Sequence, residues 1–329
     1  MDEEKVKVLY IAGWDRSGST ILDQILGQLP GFFSVGELVD LWDRGPEALC
    51  GCGHVFKDCD IWREIFVKAF GITPNDFDFA AAEDYRRCCA RLRHLCLLPS
   101  PLLRRSLDRP LRAYLELIRR LYRAVHAVSG SQMIVDSSKQ PTHAYILELS
   151  DAVDLRILHL IRDPRGCAYS YQVSKAHPDP AIARMPLMSP ARSSFHWLFA
   201  NSATRRLWHL SSDRYMAVRY EDFSSRPRDT VSRICRFVGA SVPDVPVSSQ
   251  NMVLIRPHHG VSGNPVRFKT GIVELRCDER WKSAMRRRHK LLVTAFTGLA
   301  LPTFGYHFGP TARGNRGLRN SDKAKKEEP

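Results

Sequence analysis

The 329-residue sequence predicts a three-layer α/β/α fold, in which a central, mostly parallel sheet is covered by helices on both faces and carries a phosphate-binding P-loop at its first strand. Two observations carry that reading. The β-branched apolar run Val6-Lys7-Val8-Leu9-Tyr10-Ile11-Ala12 ends in a loop bounded by Gly13 and Gly18, and Ile21-Leu22-Asp23-Gln24-Ile25-Leu26 then continues at helical spacing. Four further strand-like stretches follow, at 32–35, 132–135, 155–161 and 215–220, and helical patterns separate most of them. Such alternation builds a parallel sheet whose ligands sit beyond the carboxyl ends of the strands.

Taken in order, the helical patterns cover 18–28, 58–70, 79–97, 109–128, 141–149, 164–176, 190–210 and 227–238. A single domain, 1–310, accounts for them. Within it, 71–128 is rich in helix and arginine without a strand signal, and reads as a helical insertion over the acceptor side of the site. Most arginines of 86–120 read as solvated helix faces. The tail, 311–329, holds hardly any apolar side chains and is expected to be disordered.

The longest apolar stretch, Leu291 to Phe304, is interrupted by Thr294, Thr297, Gly298, Pro302 and Thr303. It falls short of the ~20 residues of a spanning helix and reads as a buried C-terminal helix. Membrane-surface contact is the alternative, because Arg286-Arg287-Arg288-His289-Lys290 precedes it. The start, Asp2-Glu3-Glu4, has neither a basic n-region nor a cleavable signal pattern, so a cytoplasmic location is expected.

A composition of 44% hydrophobic and 26% charged residues is that of a globular domain. The net charge of +14 favours acidic ligands: nucleotides, sulfated or phosphorylated substrates, nucleic acid or anionic lipid. Nucleic-acid binding would rest on charge alone, since no zinc-finger spacing, RNP motif or basic-region heptad accompanies it. The nine cysteines do not suggest a disulfide framework. One cluster, Cys50-Gly51-Cys52-Gly53-His54 with Cys59, offers three thiols and an imidazole for zinc. Because C-x-C with a third cysteine seven positions on is not a finger spacing, no metal is assigned. Buried thiols in a glycine-rich loop, or one local disulfide, are the alternatives.

The loop itself departs from an ATPase pattern. Four residues separate Gly13 and Gly18, as in G-x-x-x-x-G-K-[ST], but Ser19 stands at the lysine position and Thr20 follows. Arg16 is the cation of the loop, and the N–H groups of residues 17–20 can cradle an anion at a helix N-terminus. A second segment, Leu158 to Ser170, places Arg162 at a strand end, Pro164 at a first helical position and Ser170 two helical turns on. An arginine fork and a serine hydroxyl suit a second phosphate. Taken alone, an arginine paired with Asp163, or a helix cap, would read as well.

Together these segments resemble the PAPS-dependent sulfotransferases. Arg16-Ser17-Gly18-Ser19-Thr20 is similar to their 5′-phosphosulfate loop, [KR]-S-G-[ST]-[ST], and Arg162 through Ser170 to their 3′-phosphate motif. Arg219-Tyr220-Glu221-Asp222-Phe223, with Pro227 and Phe237-Val238-Gly239, resembles the Y-E-D segment and its helix, and Gly260 through Lys269 occupies the place of the C-terminal loop that closes on the nucleotide. The resemblance implies a transfer of the sulfuryl group of PAPS to a hydroxyl, giving an O-sulfate and PAP, with no metal required. It implies that Ser17, Gly18, Ser19 and Thr20 hold the 5′-phosphosulfate and that Arg16 neutralises the charge of departing PAP. Arg162 and Ser170 would grip the 3′-phosphate, Tyr220 would lie against the adenine, and Arg267 and Lys269 would reach the 3′-phosphate from above.

Gly36-Glu37-Leu38, past a short strand, resembles the carbohydrate-type enzymes and makes Glu37 the expected general base; a helix cap after Gly36 is its other reading. His54, His258 and His259 are weaker bases. Lys139, in Val135-Asp136-Ser137-Ser138-Lys139, is expected to approach the sulfonate, and Asp136 to orient Arg16 or bind the acceptor. A sugar, glycolipid or glycosylated natural product is the expected acceptor. The alternatives are a P-loop kinase for a small molecule, against which the missing lysine argues, and a noncatalytic basic module binding nucleic acid or anionic membrane.

Overall fold

The computed structural model describes residues 4–173, 178–179, 185–241 and 245–307. Its main sheet has five strands, β1 Val6–Gly13, β2 Phe32–Gly36, β3 Met133–Lys139, β4 Val153–Ile161 and β5 Tyr215–Arg219, in the order β2-β3-β1-β4-β5. Each neighbouring pair is parallel. Alternation along β1 sends Val8, Tyr10 and Ala12 to the core on one face and Leu9 and Ile11 to the core on the other, which is why the run is apolar throughout.

The helices Ser19–Leu26 and Pro227–Phe237 pack Leu22, Ile25, Val231 and Ile234 into one of these cores. On the other face lie Asp60–Phe70, Phe79–Cys89, Asp108–Ser129 and Pro141–Glu148. Their ends carry the expected signals: the Asp78 side chain accepts from Ala81 N–H at 2.9 Å, Gly71 and Gly130 close two helices in the left-handed conformation, and Pro141 starts another.

The stretch 71–128 is helical as expected, but its long helix belongs to the sheet packing. Tyr114, Ile118, Leu121 and Val125 are buried there, and the Tyr122 hydroxyl bonds Asp136 of β3. The pattern at 79–97 divides into a helix ending at Cys89 and a 3-10 turn, Leu92–Cys96. The helix predicted over 164–176 is seen as Pro164–Gln172, and 174–176 lie outside the described residues, as does the tail from 308. A short antiparallel hairpin, β6 Met252–Ile255 and β7 Gly271–Glu274, had no clear signal because each strand has four residues.

β3 continues four residues past its predicted end. Asp136, Ser137, Ser138 and Lys139 broke the apolar pattern, yet all four are buried. The C-terminal segment differs from the buried helix expected: Arg287–Thr297 buries Val293 but leaves Leu291 and Phe296 exposed, and Leu299 beyond it is exposed as well. Among the described residues no helix is long and apolar enough to cross a membrane.

Candidate active site

At the carboxyl ends of the parallel strands lies a cleft of about 280 Å³. Its two ends differ in chemistry. One is built by the loop after β1, the helix Pro164–Gln172 after β4 and Tyr220 after β5; the other by the turn after β2, the end of β3 and the segment 262–266.

Backbone geometry shapes the first end. Gly13 has φ +138° and Gly18 φ +88°; a Cβ would stand 2.4 Å from the Leu160 carbonyl oxygen at the former and 2.7 Å from the Tyr220 ring at the latter. Glycine is required at both. The helix Ser19–Leu26 opens at Gly18 without a side-chain cap, a configuration that receives an anion on backbone N–H groups. Ser17 and Ser19 are buried beside it, and Ser19 and Thr20 line the cleft. Arg16 sits in the left-handed region at φ +66°, with its guanidinium 4.7 Å from the centre of the Tyr171 ring. Its Nη1 is buried and has no hydrogen-bond partner. Such an orphaned cationic donor, on a residue that lines the cleft, fits an anionic ligand.

Arg162 leaves β4 nearly buried and lies 4.5 Å over the Tyr220 ring. Its fork donates to the Arg16 carbonyl oxygen and to the Asp278 carbonyl oxygen, each at 2.9 Å, and its Nη2 stands 3.3 Å from the Asp278 carboxylate. Ser170 lines the cleft beside it. The neighbouring Asp163 takes its own partner, Arg165 at 2.6 Å, so the alternative pairing of Arg162 with Asp163 gives way to Asp278. Asp278 was missed by sequence reasoning, and Arg280 with Arg162 holds its carboxyl below the usual range.

At the other end, Lys139 reaches Glu37 at 2.5 Å and Asp15 at 3.4 Å. A register break in β3 between the partners of Tyr10 and Ala12 accompanies this, and Lys139 itself has φ +66°. Of the four non-glycine residues with positive φ among the described residues, Arg16, Lys139 and Ser262 line the cleft. Backbone strain of this kind persists where the surroundings enforce it, commonly at functional sites. Burial pushes the Glu37 carboxyl up to about 7, against the pull of Lys139 and with the push of Asp40 and Asp15. Burial works to lower the Lys139 pKa, but Glu37, Asp15 and Asp40 outweigh it and keep the ammonium charged. Asp40 accepts from the Ser262 hydroxyl at 3.2 Å, and Arg44, whose Nε is buried without a partner, lines the same wall. Asp15, Asp40 and Arg44 had no motif to announce them.

Several expected residues lie elsewhere. Arg267 is 2% exposed and donates to the carbonyl oxygens of Gly260 at 3.0 Å and Leu49 at 2.7 Å; it ties two loops together and does not line the cleft. Lys269 is exposed and outside the cleft lining. Asp136 neither orients Arg16 nor lines the cleft: it is sealed between the Tyr122 hydroxyl and Ser138, whose N–H donates to it at 2.8 Å. His54, His258 and His259 also fall outside the lining, and His258 accepts from Gly260 N–H while burial lowers its pKa to about 4. No residue of 71–128 lines the cleft, so that stretch does not overlie the site among the described residues.

The chain is similar to known proteins over most of its length. Carbohydrate sulfotransferase 5 of Mus musculus is 27% identical over 342 residues, covering 92% of this chain and 81% of the mouse protein. Among solved structures, the sulfotransferase domain of the Synechococcus PCC 7002 olefin synthase aligns at 17% identity and TM-score 0.47, over 90% of this chain and 95% of that one. The sulfotransferase domain of the curacin biosynthetic pathway aligns at 15% and 0.48, over 94% and 100%. The profile described as Sulfotransferase family matches residues 9–244, which include the loop at Arg16, the carboxylate at Glu37, the lysine at the end of β3 and the Arg162–Ser170 segment. With most of the chain, and most of the cleft lining, inside that match, the protein belongs to the sulfotransferase family.

Proposed function

We propose that the protein transfers the sulfuryl group of PAPS to a hydroxyl of a carbohydrate-bearing acceptor, releasing PAP. One observation carries this reading: Arg16, whose Nη1 is buried without a partner, and Glu37, whose carboxyl is pushed up to about 7, line one cleft beside a helix N-terminus. The 27% identity to a carbohydrate sulfotransferase supports the acceptor class.

In the proposed reaction, the backbone N–H groups of 17–20 and the hydroxyls of Ser17, Ser19 and Thr20 receive the 5′-phosphosulfate, while Arg162 and Ser170 receive the 3′-phosphate. Tyr220 packs on the adenine. The acceptor oxygen attacks sulfur in line, its proton passes to the Glu37 carboxylate, and the bond from sulfur to the bridging oxygen breaks. Arg16 neutralises the charge left on PAP, and Lys139 stabilises the nonbridging oxygens of the sulfuryl group.

Thermal shift tests the donor: PAP raises the melting temperature, whereas ATP with Mg²⁺ does not. The opposite pattern would establish the kinase reading in its place. Incubation with PAPS and a panel of hydroxylated glycans, glycolipids and simple alcohols tests the acceptor, with sulfated glycan as the expected product.

A further inference from the structure

We propose that Cys50, Cys52, Cys59 and His259 form a structural zinc site that fastens the loop carrying the cleft's outer wall. The sequence suggested at most three thiols with His54 as a fourth donor and assigned no metal. The fold supplies a different histidine from 200 residues further along the chain.

The Sγ atoms of the three cysteines and a ring nitrogen of His259 all lie within 4.8 Å of one another. Cys52 Sγ and Cys59 Sγ are 3.8 Å apart, and Cys59 Sγ is 3.3 Å from His259 Nδ1. A tetrahedral zinc with Zn–S about 2.3 Å and Zn–N about 2.0–2.1 Å has S···S edges near 3.8 Å and S···N edges near 3.5 Å. These two edges match such a tetrahedron, and every other pair of the four ligand atoms lies within 4.8 Å. Three thiolates and one imidazole complete a closed zinc coordination, and none of the four residues lines the cleft, so the role is structural.

The surrounding shell is also that of a built site. Cys50 and Cys59 are buried, and the fully buried Trp62 donates its indole N–H to the His259 carbonyl oxygen at 2.7 Å. Gly51 N–H donates to the Gly260 carbonyl oxygen at 3.0 Å, and a Cβ on Gly51 would meet His258 at 2.7 Å. Arg267, expected at the nucleotide, clamps the same two loops from behind through Leu49 and Gly260. From His259 the chain runs directly to Val261, which exchanges hydrogen bonds with Val35 and Glu37, at 2.9 and 2.8 Å, and to Ser262, which meets Asp40. The zinc would therefore fix the backbone on which Glu37 is held. Binding replaces the three thiol protons with one Zn²⁺ and changes no oxidation state.

Metal content and intact mass of the full chain, purified under reducing conditions with zinc supplied, decide the matter. One zinc per chain is expected, with His54→Ala unchanged and His259→Ala at least about tenfold weaker in chelator competition. Cobalt replacement adds a reading on the wild type alone, should His259→Ala fail to fold: a tetrahedral visible spectrum with thiolate-to-cobalt charge transfer. A folded wild-type protein that takes up no zinc or cobalt overturns the proposal. So does a mass lighter by two hydrogens with a Cys52–Cys59 crosslink persisting in the presence of zinc, and so does an unaltered affinity in folded His259→Ala.

Discussion

The two ends of the cleft place opposite charge on one scaffold. At the end proposed for the donor, Arg16 and Arg162 flank a helix N-terminus, and Asp278 closes on Arg162. At the end proposed for the acceptor, Glu37, Asp40 and Asp15 surround Lys139. The first leaves Arg16 Nη1 buried and unpartnered; the second gathers three carboxyls around one ammonium, and burial raises the Glu37 carboxyl to about 7. Division of this kind suits a displacement in which negative charge leaves on one side while a proton is taken on the other.

The division of charge depends most directly on Arg16. Arg16→Ala is expected to lower kcat by about 10²–10³-fold, the cost of removing one preorganised donor to developing charge. Steady-state rates with PAPS measure it, and a rate close to wild type would remove the arginine from the donor end. Glu37→Gln comes next, with an expected loss of about 10²-fold in kcat within the usual range for general bases. Its PAP-induced thermal shift should stay that of the wild type; a lost shift would mean that the two ends are not separable.

The pH profile sharpens the same division. With the Glu37 carboxyl pushed up to about 7 by burial, the ionised base becomes more abundant as pH rises through 7. The rate should therefore climb over that interval and level above it, whereas PAP affinity should stay level above pH 7, where the second ionisation of its phosphates, with pKa about 6, is nearly complete. Lys139 stays protonated throughout and adds no limb in this range. Glu37→Gln should flatten the climb, and a slope surviving in that variant would move the titrating base elsewhere.

These ends also differ in how legible they were. The donor end is local: a strand, a glycine-bounded loop and a helix lie within residues 6–26, and the arginine fork and serine within nine residues of one another. Periodicity and spacing suffice for those residues, though not for Asp278, 116 residues beyond Arg162, and the order of strands and helices gave the sheet in the same way. The acceptor end is assembled from β2, β3 and the segment after Val261, so Asp40 and Arg44 looked like ordinary residues of a short helical turn. Lys139 was legible as a residue but not as a partner of Glu37, because the break in β3 register that accompanies the pairing has no signal in the local sequence pattern. Arg267 was misread for the converse reason. Its motif position suggested phosphate, while the buried carbonyl oxygens of Leu49 and Gly260 claim its guanidinium.

The smallest expected effect tests whether Asp278 belongs to the donor end. Its carboxylate stands 3.3 Å from Arg162, where a 3′-phosphate would compete with it, and Arg280 holds it ionised at 2.7 Å. Asp278→Asn keeps the shape and removes the charge, so PAP should bind a few-fold more tightly, about 1 kcal/mol, given that the carboxylate is partly exposed and screened. Lys269→Ala, outside the cleft, should leave the affinity unchanged. Calorimetric titration of PAP at low and high salt checks both, because an advantage that arises from lost repulsion must shrink as the Debye length shortens. Equal affinity in Asp278→Asn and wild type at low salt would mean that the carboxylate swings clear of Arg162 before the nucleotide arrives.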